Sequence, residues 1–166
     1  MSIGGDNDLH RAGEPRPVAS PVVLDRAWIA AHIPHQGGMC LLDRVESWNE
    51  TTIVCRANSH RLADNPLCQS ASLGIANGIE YAAQAMAVHG ALLVGTGQAP
   101  SAGFLTSVRN VQWNRHRLDD VDGELVVRAE RLSGNEINIL YDFSLYSEGA
   151  VLLSGRASVL LDAGGK

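Results

Sequence analysis

"LGIANGIEYAAQAMAVHGALLV", residues 73–94, decides how the rest of the chain is read. It is long enough for a helix of several turns and apolar nearly all the way round. A helix with no wet face belongs inside a protein, buried on most of its sides. Ser70 or Ser72 is placed to be its N-cap, and "GTGQAPSAG" ends it. Three polar residues interrupt the pattern. Asn77, Glu80 and Gln84 stand at i−3, i and i+4, so they share one stripe of the helix.

Outward from this helix the chain changes period. In "GNEINILYDFSLYSEG", Ile137, Ile139, Tyr141, Phe143 and Leu145 alternate with other residues, which is a strand with one apolar face. "GELVVRAERL" and "AVLLSGRASVLL" alternate in the same way, and "FLTSVRNVQWNR" precedes them as another strand. Asp122-Gly123, Ser133-Gly134 and Glu148-Gly149 supply turns. On the N-terminal side, "LDRAWIAAHI" reads as a short helix capped by Asp25. "CLLDRVESW" and "TTIVCRAN" then form a hairpin turning at Asn49-Glu50. The order is short helix, hairpin, long buried helix, then three or four antiparallel strands. It predicts an α+β domain over residues 22–166 whose sheet wraps one central helix. Residues 1–21, rich in Gly, Pro and charge, read as a flexible tail.

The chain has 166 residues, enough for one domain with a real core. A formal charge of −5 speaks against a broad nucleic-acid surface. Three widely spaced cysteines, Cys40, Cys55 and Cys68, fit neither a disulfide framework nor a zinc site. They point to a reducing compartment. With no signal-peptide core and no apolar run of membrane-spanning length, the expected location is the cytoplasm. No phosphate loop, metal-spaced cluster or nucleophile elbow is present.

Two segments carry a resemblance. "PHQGGMCLLDRV" at 34–45 and "IEYAAQAMAVHG" at 79–90 resemble the 3-hydroxyacyl-carrier-protein dehydratases of the FabZ/FabA type, most nearly their ApeP-like branch linked to aryl polyene synthesis. The likeness covers roughly residues 22–162 and implies a hotdog fold that pairs as a homodimer or with another hotdog subunit. It also implies a substrate carried on the phosphopantetheine arm of an acyl carrier protein, and no metal or redox cofactor. Glu80 falls in the acidic position of the family's central helix. The chain departs from the family at one point: the Gly-His-Phe-Pro-Gly segment of FabZ-type enzymes is absent, and its histidine falls at Pro66.

A dehydratase reading therefore needs another histidine. His10 lies in the tail, and His32 on the short helix reads as structural. His60 is in a loop and His116 lies between two arginines. His89 is nine residues past Glu80, which at about 100° per residue is the opposite helix face. That leaves His35. Pro34 fixes its approach, and Gly37 and Gly38 leave room for a thioester or a partner chain. The implied catalytic pair is His35 as base and Glu80 as acid, with Glu80 coming from the partner subunit. A carboxyl in apolar surroundings suits proton donation near neutral pH. Amides around Ser72 and Gly74, at the helix start, are placed to bind the thioester carbonyl, with Asn77 and Gln84 beside the substrate. Arg109, Arg115 and Arg117 are the densest basic patch for an acidic carrier. Two other readings fit the same residues: an acyl-thioesterase using the helix carboxylate, and a non-catalytic acyl-binding subunit.

Overall fold

The computed structural model describes residues 24–95, 103–135 and 137–161; the expected tail lies outside them. Helix α1 spans Arg26–His32. Asp25 caps it as expected, its carboxylate accepting from the Trp28 amide at 2.9 Å. Strands β1 (Arg44–Trp48) and β2 (Thr52–Ala57) form the first hairpin. Its turn is held by the Asn49 side-chain oxygen, which accepts from the Thr51 and Thr52 amides.

The central helix α2 covers Gly78–Val94, five residues shorter at its start than the sequence predicts. Ser70 and Ser72 do not cap it. Ser70 and Ala71 take left-handed backbone angles in a tight turn that pairs Gln69 with Ser72. The chain beyond is extended, bridged by Ile75 N to His116 O and by Leu118 N to Leu73 O. A short 3₁₀ turn over Ile75–Asn77 then leads into α2. The strong helical pattern of residues 73–77 yields to tertiary hydrogen bonds on that bridge.

Strands β3 (Gly103–Trp113), β4 (Leu125–Gly134), β5 (Asn138–Ser147) and β6 (Ala150–Leu161) follow. Ser133 and Gly134 lie within β4 rather than in the turn, which Asn135 makes by accepting from Ile137 and Asn138. Glu148 and Gly149 both have positive φ, +49° and +78°, and make the tight β5–β6 hairpin. Only residues that tolerate the left-handed region suit such a turn.

All six strands join one antiparallel sheet in the order β1-β2-β4-β5-β6-β3. One face of β2, β4 and β5 is apolar and buried, through Ile53, Cys55, Val127, Ala129, Tyr141 and Phe143. Helix α2 lies across these three strands, setting Tyr81, Ala82, Ala85 and Val88 into the core. This is the hotdog arrangement that the resemblance implies. β3 lies at the end of the sheet and leaves Phe104, Leu105 and Trp113 exposed. Among the described residues no helix is long and apolar enough to cross a membrane.

Candidate active site

The segment between α1 and β1 determines where His35 stands. Residues 40–43 read as strand in the sequence, yet β1 begins only at Arg44. The reason is that side chains take the ladder's place. The Leu41 amide donates to Gln84 Oε1 at 2.9 Å, and the Leu41 carbonyl accepts from Ser59 Oγ at 2.7 Å. Cys40, Leu41 and Leu42 are buried, so the segment is anchored in the core without joining the sheet. Ahead of them, Gly37 has φ +57°, a conformation in which any side chain is strained. Its carbonyl accepts from Arg26 Nη2 at 3.0 Å. Gly38 lies beside Pro66, the position where the family's missing histidine falls.

Held this way, His35 reaches Glu80 within one chain: Nε2 and Oε1 are 3.0 Å apart. The expectation that Glu80 comes from a partner subunit is thus corrected. Both side chains are about one-third exposed, 29% and 33%, enough for a ligand to touch them. His35 Nδ1, by contrast, is buried and has no partner among the described residues.

Gln84 is the residue whose role the sequence missed. Its i+4 spacing put it beside Glu80, but nothing in the sequence shows that the amide also turns back to the His35 segment. It is fully buried. Its Nε2 donates to Met39 O at 2.8 Å and to Glu80 Oε1 at 3.1 Å, while Oε1 accepts from Leu41. One side chain therefore fixes the loop to the helix and holds the carboxyl oxygen that His35 meets. It braces the site rather than lying open to substrate.

His35 and Glu80 stand at one end of a cavity of about 190 Å³. The space runs along the half-buried face of α2 past Ala83, Ala87 and Gly90 to Val94, and its far walls are Leu105, Val159 and Leu161. At 1.5 Å per residue, Glu80 to Val94 spans roughly 20 Å. A narrow apolar space with an acid and an imidazole at one end suits a long-chain ligand whose reacting carbons lie at its polar end.

The other candidates lie elsewhere. Ser72 N bonds Gln69 O and Leu73 N bonds Asp119 Oδ1, so these amides are not the free N-terminal donors expected of a helix. Asn77 bonds back to Gly74 O at 3.1 Å. Arg115 pairs with Asp120, and Arg117 pairs with Asp119, whose carboxyl that guanidinium holds down at about 2. Two of the three basic residues are thus already compensated. Arg109 lies in β3 directly opposite Arg156 of β6. Cys68 is a free, half-buried thiol packed against the core. His89, as expected, faces away from Glu80: its Nε2 meets Asn49 O at 2.8 Å and its Nδ1 meets Tyr141 Oη at 3.0 Å.

The model of a family described as "ApeP-like: ApeP dehydratase" matches residues 27–163. Among solved structures, the chain is similar to one described as the dehydratase heterocomplex ApeI:P from Xenorhabdus doucetiae. The two share 21% identity over 82% of this chain and 91% of that one, with a TM-score of 0.70. Likeness to a thioesterase from Haemophilus influenzae is weaker, at 13% identity, 72% and 77% coverage and a TM-score of 0.52. A mutant thioesterase from Staphylococcus aureus is 12% identical over 71% and 91%, with a TM-score of 0.53. At these identities the solved structures speak for the fold. No curated protein matches the chain by sequence.

Proposed function

Because the chain belongs to the ApeP-like family of dehydratases over residues 27–163, we propose that it removes water from 3-hydroxyacyl thioesters to give 2-enoyl thioesters. The observation that carries the substrate class is the 3.0 Å contact of His35 with Glu80 at the polar end of an apolar cavity. Elimination of a 3-hydroxyl needs a base for the α-proton and an acid for the departing oxygen. Glu80 is suited to be the acid. Its Oε1 accepts from Gln84 Nε2 and lies 3.0 Å from His35 Nε2, and its Oε2 makes no hydrogen bond with any described residue. The proton on that open oxygen goes to the leaving hydroxyl. The sequence puts His35 forward as the imidazole that takes the α-proton, and its 3.0 Å approach to Glu80 supports a part for it in the proton handling.

The acyl chain occupies the cavity along α2, and the thioester lies toward the His35 end. The donor of the acyl group is an acyl carrier protein. Its docking involves Arg109 together with the partly compensated Arg115 and Arg117. The exposed apolar edge of β3 supports pairing with another hotdog subunit, as does the heterocomplex described for the relative from Xenorhabdus doucetiae. Product analysis with a carrier-bound 3-hydroxyacyl group tests the reading. An enoyl thioester is expected; a free acid and a free thiol would make the protein a thioesterase instead.

A further inference from the structure

His32 ends α1 three residues before His35, and the two rings line the same cavity as Glu80. Its Nδ1 lies 2.7 Å from the Trp28 carbonyl oxygen. A carbonyl only accepts, so Nδ1 carries the hydrogen, and the neutral ring keeps its lone pair on Nε2. The ring is also held in plane: it stacks on the Trp28 indole with centroids 3.8 Å apart and 11° between planes. His32 is half-buried, and its Nε2 is neither sealed off nor hydrogen-bonded to a described residue.

His35 is arranged the other way round. Its Nε2 is engaged with Glu80 and its Nδ1 is buried. Whichever nitrogen carries the hydrogen, Nδ1 is shut off from the cavity and Nε2 is taken up against Glu80 Oε1, so the neutral ring has no nitrogen open to a substrate. Of the two imidazoles at this end of the cavity, only His32 offers an open basic nitrogen.

Resting on the dehydratase reading above, we propose that His32 is a catalytic residue, the base that takes the α-proton, while His35 orients Glu80. The Cα–H electron pair becomes the second bond between Cα and Cβ. The Cβ–O bond breaks, and the hydroxyl leaves as water with the proton from Glu80. His32 then passes its acquired proton to solvent at the mouth, and Glu80 takes one back from water, so the cycle closes with no other reactant.

The test uses a 3-hydroxyoctanoyl thioester of N-acetylcysteamine and two substitutions. His32→Phe keeps a flat ring for Trp28 to stack on, and His32→Gln keeps a polar side chain. Each is expected to lower kcat about 10²–10⁴-fold, as loss of one acid–base group does, with KM little changed and the thermal melt close to that of the parent. Exchange of the substrate's α-hydrogen with deuterated water should fall with kcat. Nitrogen-15 spectra of labelled histidine should show His32 with its hydrogen on Nδ1. A folded His32→Phe protein with parental kcat, or a His32 ring protonated on Nε2 alone, would overturn the assignment while leaving the dehydratase reading in place. A parent protein that dehydrates no 3-hydroxyacyl thioester would remove that reading, and the assignment with it.

Discussion

The two faces of α2 hold similar groups in opposite conditions. On the sheet side His89 is fully buried, and both its nitrogens are occupied, by Asn49 O and Tyr141 Oη. On the cavity side Glu80 and His35 are partly exposed, and each has an atom without a partner. The first arrangement is closed, since every polar atom has its hydrogen bond and the apolar packing is complete around it. The second is braced from behind by Gln84 and left open in front. Burial alone therefore does not separate a structural polar group from a reactive one; the completeness of its partners does.

The open face should give the largest effect when changed. Glu80→Gln is expected to lower the dehydration rate by about two orders of magnitude or more, the usual cost of one acid–base group, and His35→Ala to lower it less, through the lost positioning of the Glu80 carboxyl. Circular dichroism should show both proteins folded. Near-parental turnover in folded Glu80→Gln would erase the contrast between the faces.

Gln84→Leu should come next, because it strips the brace while keeping the volume. It leaves the Leu41 amide and the Met39 carbonyl unpaired in the interior, at about 1–3 kcal/mol for each group. A lowered urea midpoint together with a reduced kcat is expected. A loss of stability without any loss of kcat would mean that the brace holds the loop but not the carboxyl.

The closed face makes a prediction about acid. Burial lowers the pKa of His89 and of His60 below the ordinary value of 6.5, against the hydrogen bonds to Asn49 O and Val121 O that pull upward. Both groups then take up protons more readily in the unfolded chain. Their contribution to stability is complete above 6.5 and falls as the pH drops below it. The urea midpoint should fall between about pH 7.5 and pH 5.5, and the fall should be smaller in His89→Phe. An unchanged slope in that variant would show that His89 is not the group titrating.

Of the same length's worth of surface, the arginine patch should matter least. Arg115→Glu with Arg117→Glu removes guanidiniums already paired with Asp120 and Asp119. Exposed pairs of this kind contribute little to stability, so the melting temperature should hardly move. Turnover of a carrier-bound substrate is expected to fall while turnover of a small synthetic thioester does not. Equal turnover of both substrates would take these two residues out of carrier docking.

Much of the architecture was legible in the sequence because it rests on periodicity. The alternation in β4, β5 and β6 and the apolar run of α2 are local patterns, and the sheet formed as they predict. What failed was decided by distant partners. Residues 73–77 have a helical pattern but are drawn into an extended bridge with residues 116–118. Residues 40–43 have a strand pattern, but Gln84 and Ser59 take up the hydrogen bonds of Leu41. In the site, elimination and resemblance led to His35, and the spacing of α2 led to Glu80. Their meeting across 45 positions of one chain was not readable. His32 was passed over because a histidine ending a short helix carries no pattern of its own. Its four-residue spacing from Trp28, which allows the ring stack, was the one available signal.

Position 84 has a consequence for how related chains should be sorted. The place demands an acceptor for Leu41 and donors for Met39 and Glu80 on a single uncharged group of fixed reach. Asparagine is one methylene short, glutamate brings no donor when ionised, and leucine or methionine offers neither function. Glutamine is the natural side chain that satisfies all three demands. The residue thus works as a checksum on the proposed pair: a chain with the histidine and the glutamate but a different letter here has the two groups without the mount.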